Sequence, residues 1–264
     1  MKPTIEFIKH IAIHAGGILE SYAQGDKGVE HKGRTDLVTD ADLASEAYLI
    51  GEIRKAFPDH AINAEESGDI HGNTDHKWYI DPIDGTLNYA HGVPIYCVSV
   101  AYAYRGALML GVIYNPVLDE CFWAERGKGA FLNEDPIHVS DFENLIDCLL
   151  ATGFPHDAWG TAEDNLQNFY HISKISQTVR RMGSAALDMA YIAAGRLDGF
   201  WSISIHPWDV AAAALIVQEA GGVVTGIRGE DDFMKLPVTI ACANPIIHQK
   251  LLAVLAQVRA ENNG

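Results

Sequence analysis

The stretch over residues 78–89, WYIDPIDGTLNY, restricts this chain more than any other. It reads as a short apolar strand, Trp78-Tyr79-Ile80, that stops on Asp81-Pro82-Ile83-Asp84-Gly85-Thr86 and then opens a helix. Pro82 lacks the N–H that continued pairing needs, and Gly85 permits a close backbone approach or an unusual dihedral. Asp81 and Asp84, three apart around a proline bend, can aim at one point, and the amides near Gly85 and Thr86 can face an anion there. An anion beside two carboxylates is repelled unless a cation lies between them, so the stretch points to a metal-bridged phosphate site. Taken alone, the same six residues are equally an Asp-Pro turn with Asp84 as a helix cap.

Composition narrows the partners. With 35 Asp+Glu against 19 Lys+Arg, the formal net charge of -16 repels nucleic acid and anionic membrane, so neither is expected as a partner. Cys97, Cys121, Cys148 and Cys242 are scattered and form no CxxC pair, which argues against a thiolate zinc site and suits a reducing cytoplasm. Glu6, Lys9 and His10 interrupt any signal-peptide core, and the longest apolar region, 97–114, contains Arg105 and alternates like strand, so no membrane span is expected.

Ile5, Ile8, Ala12, Ala15, Leu19 and Tyr22 recur at helical spacing and predict a packing helix over 4–22. A polar loop or hairpin follows over 25–34. A second helix is expected to bury Leu43, Ala47, Ile50, Ile53 and Phe57 and to end at Pro58, and Thr39 with Asp42 fits a capping-box start. Residues 60–64 form a short strand ending on Glu65-Glu66-Ser67-Gly68, adjacent carboxylates that in isolation are a solvated turn. Residues 96–139 read as an antiparallel meander turning at Arg105-Gly106, Asn115-Pro116 and Gly127-Lys128-Gly129. From Cys148 the rhythm alternates: strands over 148–152, 178–182, 199–205 and 238–242, helices over 161–175, 184–194, 209–220 and 245–259. The chain therefore divides near 141–147, without a flexible linker, into an α+β half over 1–145 and an α/β half over 146–264. In the second half His206-Pro207-Trp208-Asp209 precedes an apolar helix ending at Gly221-Gly222, with Asp209 where a cap belongs.

Glu65, Asp81, Asp84 and Asp209 each stand at a strand end or helix start, the edge where α/β folds open their clefts. Gathered together they form an all-oxygen set suited to Mg²⁺ or Mn²⁺ rather than Zn²⁺. Such ions bind phosphate, activate water and stabilise a leaving oxygen, so the natural reaction is phosphate-ester hydrolysis. Glycosidase chemistry, which sets an acid and a base across a sugar cleft, fits a bunched cluster less well.

WYIDPIDGTLNY together with IHPWDVAAAALIVQEAGG, DLVTDAD at 36–42, AEES at 64–67 and RRMGSAALDMAYIAAGRLDGFW at 180–201 resembles the inositol monophosphatase family of Mg²⁺-dependent, lithium-sensitive phosphatases, in order and over nearly the whole chain. The resemblance implies a layered αβαβα sandwich, a homodimer and two or three Mg²⁺ per site. It implies that Glu65, Asp81, Asp84, Asp209 and the carbonyl of Ile83 hold the metals, with Asp81 bridging two. Gly85 and Thr86 would present amides to the phosphate, and Thr86, oriented by Asp42, would position the attacking water, with Glu65 also in the catalytic set. Asp84, Asp209, Gly183, Ser184 and Ala185 would lie on the substrate side.

Two departures bear on the substrate. Ala64 stands where the family often has Gly, a change between small residues. Ser202 stands where animal members carry a Glu that contacts inositol hydroxyls. Losing such a charge-assisted hydrogen bond costs about 1.5–3 kcal/mol, roughly ten- to a hundredfold in affinity. Inositol phosphate is thus one candidate among sugar phosphates, fructose 1,6-bisphosphate, histidinol phosphate, the 2′-phosphate of NADP and 3′-phosphoadenosine phosphates. His156 and His206 line that side or serve as surface and packing histidines. The competing class is a non-catalytic dimer that binds a protein partner.

Overall fold

The computed structural model describes residues 2–23, 28–31, 37–154 and 165–262. Helices α1 (Ile5–Ala23) and α2 (Asp40–Ala56) flank a two-stranded pair, β1 (Glu30–His31) and β2 (Leu37–Val38). Then come β3 (His60–Ala64), β4 (Gly68–Ile70), β5 (Asn73–Asp84), α3 (Thr86–His91), β6 (Cys97–Tyr104), β7 (Ala107–Asn115), β8 (Glu120–Glu125), β9 (Ala130–Leu132) and β10 (Asp135–Ile137). The rest of the chain supplies β11 (Leu149–Thr152), α4 (Leu166–Ser173), β12 (Thr178–Arg180), α5 (Ala185–Ala193), β13 (Gly199–Ile205), α6 (Pro207–Glu219), β14 (Val223–Thr225), β15 (Val238–Ala243) and α7 (Pro245–Asn262).

Besides the β1-β2 pair, the described strands form two larger sheets, ordered β10-β9-β8-β7-β6-β5-β3-β4 and β12-β11-β13-β15-β14. Three apolar cores alternate with them. One joins α1 and α2 to the first sheet, a second packs α5 and α6 between the sheets, and a third joins α4 and α7 to the far face of the second sheet. The chain is thus a five-layer αβαβα sandwich, as the resemblance implies. Strand β6 shows the logic: Val98, Val100 and Tyr102 enter the first core, while Cys97, Ala101 and Ala103 enter the middle one. Successive strand side chains point to opposite faces, so burial on both faces gives a continuous apolar run rather than alternation.

Helix α6, with Val210 through Val217 all buried, has no polar face because both sheets cover it. Its alanines let it sit close to β7: a Cβ added at Gly111 would come within 2.8 Å of the Ala212 carbonyl oxygen. The four cysteines are free and buried. Among the described residues no helix is long and apolar enough to cross a membrane.

Several elements differ from the sequence expectation. Strand β5 begins at Asn73 and continues past Pro82 to Asp84, because the pairing with β6 shifts register between Asp81 and Asp84 and absorbs the proline in a bulge. The short β4 and β14, three residues each, lie outside the expected strands, and α2 buries Ala41, Asp42, Ser45, Glu46, Leu49 and Ile53 while Leu43 and Ala47 of the expected face are exposed. Helix α6 begins at Pro207, so His206 is its N-cap and Asp209 lies one turn inside. The predicted loop over 25–34, the start of the 161–175 helix, Asp36 and His156 fall wholly or partly outside the described residues.

Candidate active site

Strands β3 and β5 are parallel neighbours, with Ala64 opposite Ile80. Their C-terminal ends therefore bring Glu65 beside Asp81, and the Glu65 amide donates to the Ile80 carbonyl at 3.2 Å. On its other side β5 pairs with β6, Asp81 opposite Ser99 and Asp84 opposite Cys97. Ser99 Oγ donates to the carbonyl of Trp208 at 3.3 Å, which fixes the first turn of α6 and sets Asp209 against Asp81. Hydrogen bonds between side chains then join Asp81 to Glu65 and to Asp209.

Each carboxylate is also held from its own element. The Ile83 amide donates to Asp81 Oδ1 at 2.9 Å, and the His206 amide to Asp209 Oδ2 at 2.9 Å. The latter bond is the backbone half of a capping box, so Asp209 closes its helix while facing the cluster. Asp84 Oδ2 accepts from Ser184 Oγ at 2.8 Å and from the Ala186 amide at 2.5 Å, at the N-terminus of α5.

Burial, followed by the charges of Glu65, Asp84 and Asp209, pushes Asp81 well above the ordinary carboxylate range. Asp209 moves the same way, through burial first and then Asp84 and Glu65. Asp84 is pushed up by burial to about 6 despite hydrogen bonds from Ser184 and the Ala185 and Ala186 amides. Four clustered acids resist ionising together.

Among the described residues, no three His, Cys, Asp or Glu side chains stand as a coordination sphere. The donor chemistry nevertheless fits a hard divalent cation: all oxygen, crowded, and penalised for a negative charge that a central cation would neutralise.

Gly85 and Thr86 form the neighbouring corner, at the start of α3. Gly85 has φ +104°, and an added Cβ would lie 2.8 Å from the Ile95 carbonyl oxygen, so both conformation and space require glycine. Thr86 Oγ1 has two acceptors, Asp42 Oδ1 at 3.1 Å and the Ile83 carbonyl at 2.9 Å. Asp42 is fully buried, and its Oδ2 accepts from the Thr39 amide at 2.8 Å and Thr39 Oγ1 at 2.6 Å. Asp42 is therefore both the capping-box acid of α2 and the partner of Thr86.

The remaining sequence candidates divide. Gly183 is exposed, with φ +86°, Ala185 is half-buried, and Ser184 is the buried N-cap of α5. Ser202 is buried in β13, under Gly153, where an added Cβ would lie 2.9 Å from its hydroxyl. His206 is exposed and stacks on Trp208 at 4.6 Å.

Residues the sequence reading passed over complete the frame. Glu46, one turn beyond Asp42 on α2, accepts from the Glu66 and Ser67 amides at 2.8 and 2.9 Å and from Ser67 Oγ at 2.6 Å, fixing the turn that carries Glu65. Asn88 donates to the carbonyls of Ile95 at 2.9 Å and Met182 at 2.8 Å, clamping α3 to the turn before α5. The i, i+4 spacing of Asp42 and Glu46 was the available signal for the first.

The sequence model of the inositol monophosphatase family matches residues 1–261. An inositol-1-monophosphatase of Synechocystis sp. is 42% identical over 258 residues, 96% of this chain and 88% of that protein. The Nus factor SuhB of Escherichia coli is 40% identical over 256 residues, 96% of each. Among solved structures, extragenic suppressor protein suhB from Bartonella henselae superposes with a TM-score of 0.90 at 40% identity, covering 95% of this chain and 97% of that one. The inositol monophosphatase from Anabaena gives 0.86 at 42% identity, covering 96% and 95%.

Proposed function

The chain belongs to the inositol monophosphatase family, whose members are phosphatases, and on that premise we propose a Mg²⁺-dependent phosphomonoesterase for a small polyol, sugar or related phosphate. The observation that carries this reading is the convergence of Glu65, Asp81, Asp84 and Asp209 beside the Gly85–Thr86 corner. Glu65, Asp81, Asp84, Asp209 and the Ile83 carbonyl would hold two or three Mg²⁺, with Mn²⁺ as a substitute. Such ions, when bound, lower the pKa of water and neutralise phosphate oxygens.

The chain's own groups supply orientation. The Gly85 and Thr86 amides face the phosphate at the start of α3. Asp42 draws the Thr86 proton toward itself, which leaves an Oγ1 lone pair to accept from the attacking water and keeps that proton off the Ile83 carbonyl. Gly183, Ala185 and Ser202 belong to the leaving-alcohol side, where a neutral, buried Ser202 favours breadth over strict inositol selectivity. Lithium inhibition, a homodimer and a cytoplasmic setting accompany the reading.

The test is phosphate release with and without Mg²⁺ from inositol phosphates, fructose 1,6-bisphosphate, histidinol phosphate, NADP and 3′-phosphoadenosine phosphates. Metal-dependent release from at least one, abolished by chelation, is expected; none from any member overturns the reading. The name Nus factor carried by the E. coli relative favours one second reading, a chain that also engages a protein partner. It becomes the leading one if the whole panel is silent.

A further inference from the structure

Ser184 lies in the segment that the resemblance assigns to the leaving alcohol, yet it is only 1% exposed and its hydroxyl is engaged by protein groups. Its contacts point elsewhere. Ser184 Oγ donates to Asp84 Oδ2 at 2.8 Å and accepts the Leu187 amide at 3.4 Å, which makes it the N-cap of α5. Behind it, Cys97 Sγ lies 3.7 Å from the same hydroxyl, and Cys97 is the residue opposite Asp84 in the β5–β6 pairing. The turn carrying Ser184 is fixed independently, because Asn88 Nδ2 donates to the Met182 carbonyl at 2.8 Å. An added Cβ at Gly183 would press on that same Asn88 side chain at 2.9 Å.

Resting on the metal-dependent reading above, we propose that Ser184 is a positioning residue for Asp84: with the Ala186 amide on the same oxygen, Oδ2, and the Ala185 amide beside them, it holds the carboxylate in the one orientation in which it would be offered to a cation. A hydrogen-bonded partner behind a ligand fixes its rotamer, and removing such partners typically weakens metal binding ten- to a hundredfold. Both groups bound to Oδ2 belong to the start of α5, 100 and 102 residues further along the chain than Asp84. The ligand is thereby coupled to the middle layer rather than to its own strand alone.

The experiment measures Mn²⁺ affinity directly, by the paramagnetic resonance of free Mn²⁺, for the metal-stripped full chain and for Ser184→Ala, Ser184→Gly and Ser184→Thr. Stability is followed in parallel by urea denaturation. Alanine and glycine should each weaken Mn²⁺ about tenfold or more, while threonine, which keeps the hydroxyl, stays within threefold of wild type. Glycine is tolerated at an N-cap far better than alanine. A merely structural role would therefore separate the two variants in stability and move neither in Mn²⁺ affinity. Unchanged or tightened Mn²⁺ binding in both folded variants overturns the proposal and leaves the metal reading intact; a wild-type chain that takes up no Mn²⁺ overturns both.

Discussion

Replacing Asp42 by Asn changes one oxygen to an NH₂ and should separate stability from turnover. The buried carboxylate accepts from Thr39 twice on Oδ2, at 2.8 and 2.6 Å, and from Thr86 on Oδ1 at 3.1 Å. An amide has one acceptor oxygen, and keeping it on the Thr39 amide preserves the helix cap. The NH₂ then faces Thr86 Oγ1 and donates into it. Thr86 must in turn give its only proton to the Ile83 carbonyl at 2.9 Å. One of the two lone pairs on Thr86 Oγ1 is then taken by the NH₂ and its proton is turned onto the Ile83 carbonyl, so both the acceptor direction proposed for the water and the carbonyl proposed for a cation are disturbed. Charge-assisted bonds become neutral ones, costing about 1–2 kcal/mol of stability, or roughly 2–8 °C in Tm for a chain of this size. Turnover should fall about 10²–10³-fold, as for a deleted transition-state donor. Thr39→Ala is the control: it removes the cap hydroxyl for about 1 kcal/mol but leaves Thr86 paired with Asp42, and turnover stays within threefold. Phosphate release at saturating Mg²⁺ and urea denaturation read the two effects. Folded Asp42→Asn with near wild-type turnover would refute the proposed direction of the Thr86 proton.

Two further outcomes follow from packing and titration. Gly111→Ala should cost about 1–3 kcal/mol in urea denaturation, because its Cβ meets the Ala212 backbone at 2.8 Å and α6 must move away from β7; a variant as stable as wild type would show that this contact yields freely. His60 accepts from Trp78 Nε1 at 3.1 Å, stacks on His76 at 4.3 Å, and is pushed down to about 4, first by burial and then by His76. Since its folded pKa lies below the unfolded value of about 6.5, its contribution is complete above that pH and disappears as pH falls toward 4. The site carboxylates are shifted upward and give the opposite slope. The readout is therefore the wild-type stability minus that of His60→Gln, which should shrink between pH 6.5 and 4; a flat difference would contradict a neutral buried His60.

The parts of the site legible in the sequence are those where one residue type has two reasons to be present. Asp209 follows Pro207 at a helix start and also carries a charge that burial penalises. Asp42 sits three residues after Thr39 and also accepts from Thr86. Glycine at 85 was legible for the same reason, and its φ of +104° and the nearby Ile95 carbonyl supply the cause. Asn88 and Ser99 are not legible, because their work is to donate across long separations in sequence, such as the 94 residues between Asn88 and Met182. No local period records such a bond. The extension of β5 beyond Pro82 is not legible, because a proline in sequence signals a stop, whereas a bulge lets the strand pass it.

Strand β6 resolves how acids from both halves of the chain meet at one place. Cys97 and Ser99 lie on one face of it, two residues and thus about 6.8 Å apart. Cys97 stands opposite Asp84 and touches the start of α5 through Ser184, while Ser99 stands opposite Asp81 and holds the start of α6 through Trp208. The separation of the two helix N-termini, and so of the groups that orient Asp84 and Asp209, is set by the strand repeat. Val98 and Val100, on the other face, enter the core beneath α1 and α2. A slip of one residue would turn these valines toward α5 and α6 and drive Cys97 and Ser99 into that core. The apolar pattern that fixes the register of β6 therefore also fixes the spacing of the carboxylates, and the same residues specify both the sandwich and the site.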